Sequence, residues 1–386
     1  MKQKRIFAAI LLLLAISIKA QSPFISKVYE YRPAPGQFVN TLPQYEAGDT
    51  QEDMNRKAEE SIRGDNKRLI SLGAYGGYVI FGFDHPVANL PGEYDFKIWG
   101  NAFLSANNAS RDGGNCEPGI VMVAYDANGN GQPDDEWYEL AGSEYHKPET
   151  IKNYQLTYHK PDENKAKEPM PGSSFVDDMT YIHWQSNHDE EGYVYRNTYH
   201  PQPYYPQWIS DETLTFGGTK LANNAVDENG AGSYYVQYAY PWGYADNYPN
   251  TDERSNFNIE WAVDAGGTPV HLPAIHFVKV YTAINQCCSW LGETSTEIMG
   301  AEDLHLSAAN IAQNAADKTL LLLTNPVKDR LIIASGKEQS IAVYNSAGQK
   351  QLSFNIAGGT HHIPCPLPQG VYLLASGDIT IKFIKQ

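Results

Sequence analysis

Apolar positions in this chain recur mostly at a spacing of two. Residues 95–99 alternate, and short β-rich runs follow at 155–158, 213–216, 234–238, 259–263 and 275–281. Alternation puts every second side chain on one face, so these segments predict strands with one buried face. Residues 78–83 and 120–125 are apolar on both faces, which predicts strands covered on both sides. Glycine, proline, asparagine and aspartate punctuate the runs. A helical period occurs once. Asp49 and Thr50 supply a cap, Met54, Ala58 and Ile62 share a stripe, and Gly64 closes the segment. Many short strands beside one helix predict a mainly β fold, a sandwich of packed sheets.

The last stretch repeats the β pattern on a smaller scale. Residues 320–323 are apolar, Asn325-Pro326 interrupts, and 329–333, 340–344, 370–374 and 379–384 read as further strands. Asn345-Ser346-Ala347-Gly348 is a turn. This predicts a small immunoglobulin-like β-sandwich tail over residues 318–386. The first twenty residues differ from all of this. Lys2, Lys4 and Arg5 precede an apolar run over 6–18, and Ala20 supplies a small residue for cleavage, so residues 1–20 read as a secretory signal peptide. The run is shorter than the roughly 20 residues a membrane-crossing helix needs. No cysteine follows Ala20, so no lipoprotein anchor is expected. Between the two ends, residues 21–315 are expected to form one large sandwich domain.

Charge and cysteine content narrow the partners. The formal net charge is −16, and removal of residues 1–20 makes it more negative still. Such acidity disfavours nucleic acid and anionic membranes as partners. The four cysteines, Cys116, Cys287, Cys288 and Cys365, show no paired zinc-ligand spacing. Export exposes them to oxidation, and a disulfide from Cys116 to Cys287 or Cys288 is the preferred pairing, with connectivity left open.

Two resemblances sharpen the picture. Asn325-Pro326-Val327-Lys328-Asp329-Arg330-Leu331, Val343-Tyr344-Asn345-Ser346-Ala347-Gly348, Gly370-Val371-Tyr372-Leu373-Leu374 and the basic Lys382 and Lys385 follow one another in the order of a type IX secretion sorting domain, which the tail resembles. That family is a C-terminal address in Bacteroidetes. The resemblance implies that type IX machinery reads the tail at the outer membrane and that the body is left at the cell surface or released. In the body, Gly76-Gly77-Tyr78-Val79-Ile80-Phe81-Gly82-Phe83, Asp95-Phe96-Lys97-Ile98-Trp99-Gly100-Asn101-Ala102-Phe103, Trp137-Tyr138-Glu139-Leu140 and Ile275-His276-Phe277-Val278-Lys279-Val280-Tyr281 resemble a galactose-binding-like (discoidin-like) jelly roll. The whole is similar to a group of secreted Bacteroidetes cell-surface proteins. This likeness covers about residues 71–140 and 259–304, which leaves about 141–258 as a long Tyr-rich insertion. It implies a surface-displayed ligand-binding protein, its ligand a glycan, a corrinoid or a protein.

One loop has the composition of a cation site. Asp126, Asn128, Asn130, Gln132, Asp134 and Asp135 offer oxygens across a turn containing Gly129 and Gly131. Calcium takes six to eight oxygens, and short ligands at positions one, three and five before a glycine let the backbone wrap it. The loop resembles those of EF-hand, dockerin and thrombospondin-repeat proteins. It departs from them at Trp137, where they carry a bidentate glutamate, and at Pro133. A structural calcium is expected here, the alternative being a tight hairpin of Asn and Asp residues.

Aromatic crowding supplies the binding candidates. Trp208, Trp242, Tyr204, Tyr205 and Tyr244 lie in Pro-containing stretches, where stiff loops present flat rings to a ligand. The alternative is that these rings cover the sandwich. Catalytic signals are weak. His183 and His188 with Asp189, Glu190 and Glu191 read as a solvated loop, Asp84-His85-Pro86 reads as a turn, and no nucleophile elbow or phosphate loop occurs. The expectation is binding without turnover. The competing classes are a secreted glycan-active hydrolase and a structural adhesin or surface-layer component.

Overall fold

The computed structural model describes residues 21–105, 111–306, 320–377 and 379–386. The expected signal peptide and the junction between body and tail lie outside them. The chain is mainly β, built from antiparallel sheets. A six-stranded sheet runs in the order Lys27–Arg32, Tyr78–Ala88, Ala274–Thr282, Gly119–Ala124, Trp137–Leu140, Ala262–Val263. Against it lie a three-stranded sheet (Asn256–Phe257, Phe96–Trp99, Gly300–Asp303) and the pair Ile70–Ser71 with Glu297–Ile298. Phe81, Val123 and Val280 of the first layer meet Phe96, Ile98, Phe257 and Ile298 of the second in one buried core. The expected sandwich is therefore present.

The one α-helix among the described residues, Gln51–Ile62, closes an edge of that core with Met54, Ala58 and Ile62. Its start is local chemistry. Thr50 accepts from the Asp53 amide, and Asp53 accepts from the Thr50 amide, so two of the unpaired first-turn N–H groups find partners. The helix ends at Ile62, one residue before the cap at Arg63.

The insertion forms its own four-stranded sheet, in the order Glu191–Asn197, Val176–Ser186, Ile151–His159, Thr213–Lys220. Its inward rings, Tyr154, Tyr158, Tyr181, Tyr204 and Phe216, pack with Tyr75 into a second core. Tyr78 reaches this core from the main sheet and meets Phe216 edge-on. That contact covers the outer face of the strand at Tyr78.

The tail is a second sandwich. Leu320–Leu322, Arg330–Ser335 and Gly359–Pro364 face Lys350–Ile356, Gln339–Asn345, Gly370–Ser376 and Ile379–Lys385 around Leu331, Ile341, Leu374 and Phe383. It leans on the body. Leu323, Ile332 and Ala334 join the main core, the His271 amide donates to the Leu323 carbonyl at 2.6 Å, and His362 pairs with Glu136 at 2.5 Å.

Three local expectations are corrected. Asp84-His85-Pro86 is not a turn but part of the long strand Tyr78–Ala88. The partner strand shifts register between Ile275 and Phe277, so Pro86 sits at an irregularity where its missing N–H costs no ladder bond. Residues 259–263 are a 3₁₀ turn, Ile259–Trp261, followed by the short strand Ala262–Val263. Asn258 caps that turn through the Glu260 amide, and Asp95 takes the Ile259 amide, so the backbone is bonded away from a ladder. His183 lies on the strand Val176–Ser186 rather than in a loop, between the His159 and Tyr193 rings.

Candidate functional site

The expected ligand-binding rings divide by burial. Tyr204, Tyr205 and Tyr244 are 0%, 3% and 2% exposed, so they have no face left for a ligand. Their hydroxyls are also engaged: Tyr204 accepts from the Asn197 amide, Tyr205 donates to the Asp211 carbonyl, and Tyr244 accepts from the Glu144 amide. Trp208 is stacked between Tyr31 and Tyr45 and donates to Gln51 at 3.1 Å. Trp242 is 38% exposed and rests on Trp261 with ring centroids 4.7 Å apart. These five rings do not converge on one groove. Core packing claimed the tyrosines because a strand of period two turns every second ring inward.

All four cysteines are free thiols in the structure, in contrast to the expected bridge from Cys116 to Cys287 or Cys288. Burial raises the Cys116, Cys287 and Cys288 thiols above their ordinary range, which keeps them protonated and unreactive.

The loop of residues 126–135 does gather its oxygens. Asp126 accepts from the Asn130 and Gly131 amides, Asn130 Oδ1 accepts from the Gln132 amide, and Asp135 accepts from the Ala127 amide. Asp134 takes the side-chain amides of Asn128 and Asn130 at 3.2 and 2.9 Å. The loop is thus closed by its own hydrogen bonds.

The chemistry the sequence did not signal lies at another place. A cavity of about 480 Å³ opens beside the short pair Ile70–Ser71 and Glu297–Ile298. Phe38, Tyr199, His200 and Trp290 supply its rings, and Glu117, Glu293 and Glu297 line it with Asn101, Asn115 and Ser295. Tyr199 is 59% exposed at the lip and stacks on Phe175. Among the described residues, those lining it include no lysine or arginine.

Below this cavity three buried carboxyls meet. Ligand oxygens of Glu117, Asp246 and Glu297 all lie within 4.8 Å of one another. Main-chain bonding brings them together. The Glu117 amide donates to the Asp246 carbonyl at 2.9 Å, and the Glu297 amide donates to Asp246 Oδ2 at 2.9 Å. Asp246 adopts the left-handed backbone, φ 52°, which Asp tolerates better than most residues. Its Oδ1 accepts from the Asn101 and Ala102 amides at 2.7 and 2.8 Å. Glu117 accepts from the Ser295 amide, the Gln237 side chain and the Asn115 side chain at 3.0, 3.1 and 3.0 Å. The Ser295 hydroxyl donates to Glu297 at 2.7 Å.

Electrostatically this is an isolated acidic interior. Burial raises the carboxyls of Glu117, Asp246 and Glu297; repulsion from Glu117 adds to it at Asp246 and Glu297, while hydrogen bonds, one of them with Glu297, pull Glu117 back down. Glu293 is pushed up to about 8, first by burial, against the pull of the Gln37 amide on its Oε1. Its Oε2 is buried and has no hydrogen-bond partner among the described residues. None of the ion pairs among the described residues uses these four carboxyls.

Together the fold and the site define a β-sandwich protein with a ring-lipped, acid-floored cavity. No family model matches the chain, and no curated protein matches it.

Proposed function

We propose that this chain is an exported, surface-displayed binding protein that takes a small polar ligand into the cavity lined by Phe38, Tyr199, His200 and Trp290. The carrying observation is the cavity itself: about 480 Å³, with flat rings at the mouth and hydrogen-bonding oxygens inside. That volume lies within the usual range for small-molecule sites, and rings above polar groups suit the faces and hydroxyls of a sugar or the edge of a corrin. A protein ligand fits less well, because the site is concave rather than a broad patch.

The test is a thermal-shift screen of soluble glycans and corrinoids, followed by calorimetry. Trp290→Ala and Tyr199→Ala are each expected to weaken the ligand found about tenfold, the value of one lost ring contact. Unchanged affinity in both variants would remove the cavity from the proposal.

Export belongs to the same proposal and rests on the sequence pattern at the two ends. The type IX machinery is the implied partner, and the cell exterior the implied location. Mass spectrometry of the protein from its native host is expected to find an N-terminus at Gln21 and a C-terminus before about residue 319. Intact ends on the surface-exposed protein would sink that part. Calcium in the loop of Asp126, Asn128, Asn130, Gln132, Asp134 and Asp135 is proposed as a stiffener of the turn beside the tail, supported by the way Asp126 and Asp134 already draw the loop around themselves.

One observation favours a glycan-active hydrolase as the second reading. Burial pushes Glu293 up to about 8 on a cavity wall that a second carboxyl, Glu117, also lines. Turnover of fluorogenic glycosides that is lost in Glu293→Gln would replace binding by hydrolysis.

A further inference from the structure

We infer that Glu117, Asp246 and Glu297 form an interior site for one hard divalent cation of the calcium class, at the floor of the ring-lipped cavity and separate from the surface loop at residues 126–135.

The first argument is reach. Oxygens within 4.8 Å of one another can all contact one ion at the 2.3–2.6 Å typical of calcium, because two oxygens on opposite sides of such an ion stand about that far apart. All the donors are carboxylate oxygens, which select hard ions over zinc or copper.

The second argument is the surrounding shell. The groups bonded to these carboxyls are donors: the amides of Ser295, Asn101, Ala102 and Glu297, the side-chain amides of Gln237 and Asn115, and the Ser295 hydroxyl. Donors of this kind orient ligands and favour the ionised form, as outer-shell groups do around metal ligands. An acid cluster satisfied by shared protons alone would gain from nearby acceptors for those protons. Among the described residues, the carboxyl-to-carboxyl hydrogen bond that serves in that way is the one between Glu117 and Glu297.

The third argument is independent of the cluster. Glu293 is 4% exposed, lines the same cavity as Glu117 and Glu297, and keeps Oε2 buried without a partner. A buried unpaired oxygen costs folding free energy, and more when the group is charged. With no lysine or arginine among the described wall residues, a cation and the water it carries is the partner that would hold this carboxyl in its ionised form. Four buried carboxyls at the floor and wall of one cavity, each held by at least one donor, form a receptor for positive charge.

The experiment uses the full chain, stripped with a chelator and then dialysed against calcium, magnesium or manganese at known free concentration. Bound metal is counted by mass spectrometry, and melting temperature is followed alongside. The expected result is one equivalent of calcium that survives the double change Asp126→Asn with Asp134→Asn and is bound at least 100-fold more weakly by Glu297→Gln and by Asp246→Asn. Glu297→Gln keeps the shape and is expected to fold without metal, whereas Asp246→Asn sets an NH2 against the Glu297 amide, so its melting temperature is read beside its metal content.

Terbium luminescence provides a second readout. Trp290 lines the same cavity and should sensitise an ion bound at its floor, so emission excited through tryptophan should fall in Trp290→Phe while bound metal does not. Absence of any bound divalent ion in the wild type, or equal binding by Glu297→Gln, would leave a proton-sharing carboxyl network and overturn the inference. Cation binding is measured without organic ligand, so this outcome and failure of the cavity to hold a ligand are read separately.

Discussion

Gly77→Ala is expected to lower folding stability by about 4 kcal/mol, enough to unfold a large fraction of a marginally stable domain. A Cβ at residue 77 would stand 1.9 Å from the Leu72 carbonyl oxygen and 2.2 Å from the Ala34 nitrogen. Both are backbone atoms, and they bond each other: the Ala34 amide donates to the Leu72 carbonyl at 3.0 Å. A methyl group there must break that bond or push apart two segments that frame Tyr75. Gly77 also accepts from the Thr282 amide, so the displacement would reach the central strand Ala274–Thr282. The control is Gly217→Ala, whose Cβ would meet the flexible Gln155 side chain at 3.3 Å and the Tyr154 carbonyl oxygen at an ordinary contact distance of 3.7 Å. Its effect should stay within about 1 kcal/mol. Urea unfolding midpoints at constant slope give both numbers, and similar losses in the two variants would refute the steric argument.

What the sequence discloses about this fold follows from how local each determinant is. The helix was legible because its cap is four residues long and its stripe repeats every four. The strands at 213–220 were legible because burial alternates residue by residue, leaving Leu214 and Phe216 buried between exposed neighbours. The continuation of the strand through Pro86 was not legible, because it depends on His85 bonding both Asp84 and Asp303, the latter more than two hundred residues away. The same limit hid the acid cluster. Glu117 precedes a proline and a buried strand, Asp246 sits among tyrosines, and Glu297 lies in a Thr-Ser-Thr run. No spacing links them. They meet only because the Gly119–Ala124 strand bridges to Ala245 while Glu297–Ile298 pairs with Ile70–Ser71. The weak signals that exist are negative ones: a carboxyl inside a β-type run, without a basic residue near it, is a group whose partner must come from elsewhere.

Tyr158 decides whether the tyrosine richness of the insertion is structural. It is fully buried, its hydroxyl donates to the Tyr75 carbonyl at 3.0 Å, and the Tyr75 hydroxyl donates to the Tyr154 carbonyl at 3.2 Å. The two bonds run in opposite directions between body and insertion, so each element holds the other in register. Tyr158→Ala would remove a ring packed with Phe216 as well as the hydroxyl, and about 4 kcal/mol should be lost. Tyr158→Phe keeps the ring and strips the Tyr75 carbonyl of a donor, which should cost about 1–2 kcal/mol. The difference between the two isolates packing from hydrogen bonding. Ligand affinity at the ring-lipped cavity should be unchanged in Tyr158→Phe, since Tyr158 does not line it. A Tyr158→Phe protein of full stability and weakened ligand binding would return the buried tyrosines to the binding surface. A stability loss with intact binding confirms that most of these rings hold the insertion to the sandwich, and that recognition falls to the few rings left at the cavity mouth.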